Sequence, residues 1–154
     1  MICDWIAVDW GTSSLRCWAM SADGQILAEA SSDQGMGVLK PDAFEGALLA
    51  LVGDWLDRAV PVIACGMVGA RQGWVEAAYR TVPATPIGLP MTRPKVNDLR
   101  LSVYIVPGLS QAKPADVMRG EETQIAGFLA LNKDFDGVIA LPGTHTKWAR
   151  VIGG

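Results

Sequence analysis

The chain has 154 residues and a formal net charge of −3; 50% of its residues are hydrophobic and 19% are charged. This composition excludes a disordered chain, and the weak acidity excludes the basic surface that a nucleic-acid partner requires. No apolar run reaches the roughly 18 residues of a membrane span, and three cysteines without ligand-like spacing are typical of reduced thiols. We therefore expect a cytoplasmic domain with no nucleic-acid or membrane partner.

The first thirty residues predict a three-stranded antiparallel meander. Residues 6–8 are a short apolar run, and residues 15–22 resume a strand-like composition after a polar turn. Asp23-Gly24 is a strong hairpin signal, so residues 26–30 are expected to return as a third strand.

A helix and a buried parallel strand are predicted next. Pro41 to Arg58 carries apolar residues at three- and four-residue steps, which predicts a helix. Val62 to Cys65 is a short apolar run before a glycine and is typical of a parallel strand. Residues 66–100 are interrupted by glycine and proline, so they predict a long functional loop with a short helix near Trp74–Ala78.

The remaining residues predict one strand, one helix and a hairpin. The strand covers 101–106, the helix covers 121–132, and the hairpin joins 137–141 to 147–152. Elements in the order βββαβαβ, followed by that hairpin, predict an α/β fold with a mixed sheet.

The first candidate site is the turn after the first strand, which reads Asp9-Trp10-Gly11-Thr12-Ser13. Glycine lets successive backbone N–H groups converge on an anion, and the hydroxyl side chains add further donors. Asp9 offers an oxygen ligand to Mg²⁺, so the block is typical of a phosphate and metal site. The alternative is a plain hairpin turn in which Asp9 bonds its own backbone.

A second Gly-Thr turn lies between the last two predicted strands, at Gly143-Thr144-His145-Thr146-Lys147. Two such turns facing each other would hold the two sides of a nucleoside triphosphate. His145 is the only histidine of the chain, and without neighbouring ligands it favours a turn-capping or substrate-contacting role over metal binding.

Paired acids and a polar loop supply the remaining candidates. Glu121 and Glu122 follow Arg119 at the start of the last predicted helix, where one carboxylate would take the proton of an attacking hydroxyl. The alternative is that both acids stabilise the helix dipole. Arg71 and Gln72 lie in the glycine-rich loop and would bind a sugar acid by its carboxylate and hydroxyls, unless they are simply solvated.

Together these four blocks resemble the 2-dehydro-3-deoxygalactonokinase family of the actin- and hexokinase-like superfamily. The first block alone is shared by many kinases and ATPases, whereas four blocks in this order along the chain are far more specific. The resemblance implies ATP- and Mg²⁺-dependent transfer of a γ-phosphoryl group to the 6-hydroxyl of 2-dehydro-3-deoxy-D-galactonate. It also implies a ribonuclease-H-like lobe of the kind found in actin-like ATPases.

The resemblance also implies roles for individual residues. Mg²⁺ would be served by Asp9, and the phosphates would be lined by Gly11, Thr12, Ser13, Gly143, Thr144 and Thr146. Glu121 or Glu122, beside Arg119, would be the catalytic base. Arg71, Gln72 and His145 would contact the sugar acid.

Members of this family are longer and carry a duplicated lobe. We therefore expect residues 1–136 to form an N-terminal lobe and residues 137–154 to open a truncated second lobe, with weak or no activity alone. A phosphohydrolase acting on phosphoanhydrides, and a non-enzymatic lobe that associates through its uncovered surface, stay open as alternatives. A homodimer is also left open.

Overall fold

The computed structural model describes residues 3–154, which form ten β-strands and two α-helices. In chain order they are β1 (Trp5–Trp10), β2 (Leu15–Met20), β3 (Ile26–Ser32), α1 (Phe44–Val52), β4 (Val60–Cys65), β5 (Arg80–Thr81), β6 (Leu101–Ile105), β7 (Leu109–Gln111), β8 (Asp116–Met118), α2 (Glu121–Leu131), β9 (Gly137–Leu141) and β10 (Lys147–Val151). Short 3₁₀ turns cover Met36–Val38, Gly53–Trp55 and Met67–Gly69.

A five-stranded mixed sheet lies at the centre, with its strands in the order β3-β2-β1-β4-β6. β1, β2 and β3 form an antiparallel meander, whereas β4 runs parallel to β1 and β6 runs parallel to β4. The predicted meander, parallel strand and mixed sheet are therefore confirmed. Because β1 is central, the residues at its carboxyl end have a neighbouring strand on each side.

An aromatic cluster fixes the carboxyl end of β1 in the core. Trp10 and Phe44 are completely buried, and their ring centroids are 5.3 Å apart. Trp74 lies 6.0 Å from Trp10 and 6.1 Å from Phe44, measured between ring centroids. Such aromatic contacts add to the free energy gained by burial, so the turn that follows Trp10 starts from a rigid point.

The helix predicted over Pro41–Arg58 is wrong at both ends. Residues 41–43 form a turn in which the Ala43 N–H donates to the Lys40 carbonyl at 3.0 Å, and the helix begins at Phe44. It ends at Val52, after which residues 53–55 tighten into a 3₁₀ turn. The apolar periodicity runs past the helix because Leu56, although beyond it, packs in the same core.

The short helix predicted at Trp74–Ala78 is also wrong. The Trp74 N–H donates to the Val68 carbonyl at 2.9 Å, and the Ala77 N–H donates to the Gly69 carbonyl at 2.9 Å. These hydrogen bonds run back to the start of the loop rather than along a helix, so the loop closes on itself.

Two smaller sheets complete the described part of the chain. β5, β7 and β8 form a three-stranded sheet in the order β5-β7-β8, which the sequence did not predict. β9 and β10 form the predicted antiparallel hairpin, and the predicted last helix is confirmed as α2. Among residues 3–154, neither helix has the length and apolar character needed to cross a lipid bilayer.

Candidate active site

The turn that follows β1 presents free backbone donors to solvent. Asp9 is the penultimate residue of β1, and the Gly11 N–H closes the turn by donating to the Ser14 carbonyl at 3.0 Å. Thr12 and Ser13 are exposed, and within residues 3–154 their backbone N–H groups donate no hydrogen bond. Adjacent unpaired N–H groups form a site for an anion such as phosphate.

Residues 35–37, which follow β3, support this turn, and we call them the brace. The Met36 N–H donates to the Gly11 carbonyl and the Gly37 N–H donates to the Thr12 carbonyl, both at 2.9 Å. A methyl group added at Gly35 would lie 2.3 Å from the Thr12 carbonyl oxygen, so only glycine fits there. The sequence did not predict the brace, although the two glycines of Gly35-Met36-Gly37 are a signal for close backbone packing.

Asp9 is not free of partners, because its carboxylate forms an ion pair with Arg16. The two residues lie directly opposite each other in the β1–β2 hairpin. Both side chains are partly exposed, so the pair can rearrange when another cation approaches Asp9. Arg16 was not singled out from the sequence, although counting back from the tight turn gives this register.

Two glycines bring the start of α2 against the end of β1. Gly66 follows β4 with φ of +96°, and Gly120 precedes α2 with φ of +109°, values that favour glycine. A methyl group added at Gly120 would lie 3.5 Å from the Gly66 Cα. One added at Gly66 would lie 2.8 Å from the Trp10 carbonyl oxygen and 3.5 Å from Asp9 Oδ1. The first turn of α2 is therefore a neighbour of Asp9.

The two acids at this helix start have different surroundings. Glu121 is partly exposed, and its Oε2 accepts a hydrogen bond from the Arg119 N–H at 2.9 Å. Glu122 is completely buried, and its Oε2 accepts from the Gly120 N–H at 2.7 Å. Burial raises the pKa of Glu122 to about 7, with a smaller increase from the Glu121 charge. At neutral pH, a proton on Glu122 is therefore gained and lost easily.

Cys65 lies near two carboxylate groups, those of Asp9 and Glu122. It pairs with Asp9 across the parallel strands. Burial, the Asp9 charge and the Glu122 charge raise the pKa of this thiol to about 12. Asp9, Cys65 and Glu122 thus form one cluster at the carboxyl ends of β1 and β4, with the Cys65 thiol protonated.

The remaining predicted residues of this region point elsewhere. Within residues 3–154, no ion pair joins Arg119 to Glu121 or Glu122; the Arg119 guanidinium instead donates from Nη2 to the Ala77 carbonyl at 2.9 Å. Arg71 and Gln72 are exposed at the tip of the loop after β4. Their positions leave both side chains free to meet a ligand from solvent.

The second Gly-Thr turn is tied to β8 by an ion pair. Gly143, Thr144, His145 and Thr146 are exposed, and the Lys147 Nζ after them donates to Asp116 Oδ1 at 2.6 Å. No hydrogen bond or ion pair among residues 3–154 joins this turn to the first one. The structure therefore places Asp9 near the acids of α2, and within residues 3–154 no hydrogen bond or ion pair links the two Gly-Thr turns.

The donor groups of the cluster suit one kind of metal ion. Within the described residues, no group of three or more His, Cys, Asp or Glu side chains could hold a metal ion by itself. Mg²⁺ in phosphoryl-transfer sites takes one or two carboxylates and completes its shell with water and phosphate oxygens. Asp9, beside an exposed anion-binding turn, fits that donor set.

Known proteins resemble this chain over almost its whole length. Residues 9–154 match the family model described as "2-keto-3-deoxy-galactonokinase". The chain is 42% identical over 150 residues to "Probable 2-dehydro-3-deoxygalactonokinase DgoK1" of Rhizobium meliloti (strain 1021), covering 94% of this chain and 48% of that protein. It is 37% identical over 154 residues to the 2-dehydro-3-deoxygalactonokinase of Escherichia coli (strain K12), covering 97% of this chain and 50% of that protein.

A solved structure has the same fold. The crystal structure described as "a putative 2-dehydro-3-deoxygalactonokinase protein" from Sinorhizobium meliloti matches with a TM-score of 0.81 at 41% sequence identity. The match covers 96% of this chain and 49% of that one. The chain thus spans about half the length of the curated relatives it matches.

Proposed function

Because the chain belongs to the 2-keto-3-deoxy-galactonokinase family, we propose that it is the N-terminal portion of an ATP- and Mg²⁺-dependent sugar-acid kinase. The acceptor is the 6-hydroxyl of 2-dehydro-3-deoxy-D-galactonate. One observation carries the proposal: Asp9 stands beside an exposed turn of free N–H donors, with the acids of α2 next to it. That combination suits phosphoryl transfer, which depends on positioning and on neutralising phosphate charge.

The turn after β1 binds the β- and γ-phosphates in this proposal. The free N–H groups of Thr12 and Ser13 donate to phosphate oxygens, and their hydroxyls add further donors. Gly11 keeps the turn tight, and Asp9 holds Mg²⁺ either directly or through water. Bound Mg²⁺ neutralises charge on the transferring group.

The two acids of α2 have different roles in this proposal. Glu121 is the base that takes the proton of the attacking 6-hydroxyl, because its carboxylate is partly exposed and can touch a substrate. Glu122 is completely buried and holds the Gly120 N–H, so it positions the start of the helix. Arg71, Gln72 and His145 supply polar contacts to the sugar acid from exposed positions.

Two lobes meet at the site in this proposal. Residues 1–136 form a ribonuclease-H-like lobe, supported by the strand order β3-β2-β1-β4-β6. Residues 137–154 open a second lobe, supported by the separate two-stranded sheet of β9 and β10. Gly143, Thr144 and Thr146 then form the second phosphate turn once that lobe is complete, and the chain alone has little activity.

A chimera tests the proposal. Residues 1–154 are joined to the part of the Rhizobium meliloti relative that this chain does not match. The chimera is given ATP, Mg²⁺ and 2-dehydro-3-deoxy-D-galactonate, and the phosphorylated sugar is measured by mass spectrometry. We expect product from the chimera, and a loss of at least about 100-fold with Asp9→Asn, because the metal and phosphate charges are then unbalanced.

Two outcomes would count against this function. A chimera that folds and binds ATP but makes no more sugar phosphate than its Asp9→Asn variant would contradict it. Phosphate released from ATP or polyphosphate at the same rate with and without the sugar acid would favour the phosphohydrolase instead.

A further inference from the structure

The side chain of Arg119 crosses from the start of α2 to the loop after β4. Its Nη2 donates to the Ala77 carbonyl at 2.9 Å, and its Cζ lies 4.3 Å from the centre of the Tyr79 ring. A methyl group added at Gly69 would lie 3.0 Å from Arg119 Nη1, so the guanidinium passes directly over that glycine. Arg119 therefore contacts Gly69 and Ala77 of one loop and Tyr79 just beyond it.

Gly69 and Ala77 form the base of the loop that carries Arg71 and Gln72. We call residues 66–77 the Arg71 loop. The Ala77 N–H donates to the Gly69 carbonyl, which closes the base, and the Gly73 N–H donates to the Ala70 carbonyl at 2.8 Å nearer the tip. Arg71 and Gln72 stand at the exposed end of this closed loop. A contact that fixes the base therefore fixes where the two side chains stand.

Stability alone does not explain an arginine at this place. Arg119 Nε and Nη1 are buried and have no hydrogen-bond partner within residues 3–154. Burying unpaired donors of a cation costs free energy, whereas an apolar side chain of similar size would fill the space without that cost. What the arginine adds is a planar cation that stacks on a ring and donates to a carbonyl at the same time.

We propose that Arg119 is a positioning residue that fixes the Arg71 loop to the start of α2, and we call this contact the lock. The lock holds Arg71 and Gln72 at a fixed place relative to Asp9 and the acids of the helix. The Tyr79 ring is the second half of the lock. It lies between Arg119 and Gly108, where an added methyl group would come within 2.7 Å of Tyr79 Cε1. The inference rests on the proposed function for the identity of the ligand, but not for the lock itself.

Hydrogen–deuterium exchange of the 154-residue chain tests the lock without any kinase assay. In Arg119→Met, we expect amide exchange in residues 66–77 to rise about tenfold or more, while β1 and β4 exchange as in the unmodified chain. The matched control is Arg93→Met. Arg93 also stacks on a tyrosine, with its Cζ 4.9 Å from the Tyr104 ring, but it lies outside the loop. This control should leave residues 66–77 unchanged.

Variants of Tyr79 separate a lock from general packing. Tyr79→Phe keeps the ring face and should leave the exchange of the Arg71 loop unchanged, whereas Tyr79→Leu should raise it as Arg119→Met does. Unchanged exchange in Arg119→Met would overturn the proposal. Equal acceleration in β1, β4 and the loop would also overturn it, because that pattern is loss of global stability.

The chimera described above connects the lock to the site. There, Arg119→Met should raise KM for the sugar acid about fivefold or more, while kcat and KM for ATP change less than twofold. An equal loss in kcat with an unchanged KM for the sugar acid would contradict the positioning role. An inactive chimera would count against the proposed function, while the exchange data would still decide the lock.

Discussion

The buried carboxyl group of Glu122 makes the start of α2 responsive to pH. Burial raises its pKa to about 7 from the ordinary value of 4.5, so the folded chain holds a proton that the unfolded chain has already lost. Below pH 4.5 this group is protonated in both states and does not lower the free energy of unfolding. As the pH rises to about 7, the unfolded state loses its proton first, so the free energy of unfolding decreases.

Replacing this group by a neutral isostere should remove the pH dependence. In Glu122→Gln, we expect the free energy of unfolding, relative to the unmodified chain, to increase by on the order of 2 kcal/mol between pH 4.5 and pH 8. The glutamine oxygen can still accept from the Gly120 N–H, so packing is preserved. Urea unfolding at both pH values measures the change. Glu76→Gln, at an exposed position, is the control, and an equally large change there would contradict the assignment to Glu122.

At the scale of single residues, the sequence singled out candidate residues where short motifs carry distinctive chemistry, and these remain predictions. Asp9, Gly11 and the two acids of α2 belong to short blocks that suit a phosphate and metal site, although a hairpin turn and a helix cap use the same residue types. Arg16 and Gly35 were missed because their roles depend on a partner across a hairpin or below a turn. Which acid is buried could not be predicted either, since neighbouring positions on a helix differ only in the direction they face.

At the scale of elements, the turn after β1 depends on residues 35–37, which support it. The two hydrogen bonds from Met36 and Gly37 hold the carbonyls of Gly11 and Thr12 on one side, which leaves the N–H groups of Thr12 and Ser13 on the other. The turn is therefore one half of a two-segment unit, and its shape is set as much by residues 35–37 as by its own sequence.

A methyl group at Gly35 should disturb this unit. In Gly35→Ala, the new carbon would meet backbone atoms of Thr12, which cannot move aside as a side chain can. We expect the free energy of unfolding to fall by about 1–3 kcal/mol, with a loss of ATP binding in the chimera. Thermal unfolding and nucleotide titration measure the two effects.

The control for that substitution is another glycine with open space. Gly46 lies within α1 and has nothing within 4 Å of an added methyl group. Gly46→Ala should stabilise the chain by up to about 1 kcal/mol, because alanine favours a helix. If the chimera with Gly35→Ala bound ATP as tightly as the chimera with Gly46→Ala, residues 35–37 would not determine the shape of the turn after β1.

The meander, α2 and the final hairpin were predicted, whereas α1 was predicted too long at both ends and the Trp74–Ala78 helix was wrong. The β1–β3 meander, α2 and the final hairpin each satisfy their backbone within a continuous stretch, so pattern and structure agree. The helix predicted at Trp74–Ala78 failed because its N–H groups bond to carbonyls at the start of the loop. The residue pattern alone does not show that these N–H groups bond to carbonyls at the start of the loop.

At the scale of the whole molecule, the final hairpin exposes an apolar face. Along β9 and β10, alternate residues face solvent, and they include Val138, which is 57% exposed, and Trp148, which is 72% exposed. A two-stranded sheet is marginal in water by itself, and an exposed apolar patch tends to associate. This face is where we expect the chain to meet another surface.

Self-association of the chain alone is the measurable result. We expect sedimentation velocity to show reversible association of the 154-residue chain, which Trp148→Lys should weaken. Leu99→Lys is the control, because Leu99 is 90% exposed on a separate loop and should not matter. A monomer at all concentrations, or an equal effect of both variants, would contradict the role of the hairpin face.

The α/β class and the mixed sheet were predictable for the whole molecule, but the β5-β7-β8 sheet was not. Its strands have two or three residues each, which is too short for any alternation of side chains to appear. Arg80 pairs with Leu109 from a distant part of the chain, so only the folded backbone reveals it.

The central place of β1 has a consequence for how the chain folds. On one edge β1 pairs with β2, its immediate successor, so the meander can form as soon as the first strands leave the ribosome. Its other edge pairs with β4, and Gly66 after β4 in turn lies against Gly120, so these contacts have long sequence separation and close slowly. During synthesis, the edge of β1 that later receives β4 is thus open to wrong pairing, whereas the turn after β1 can already close on residues 11–14 and 35–37.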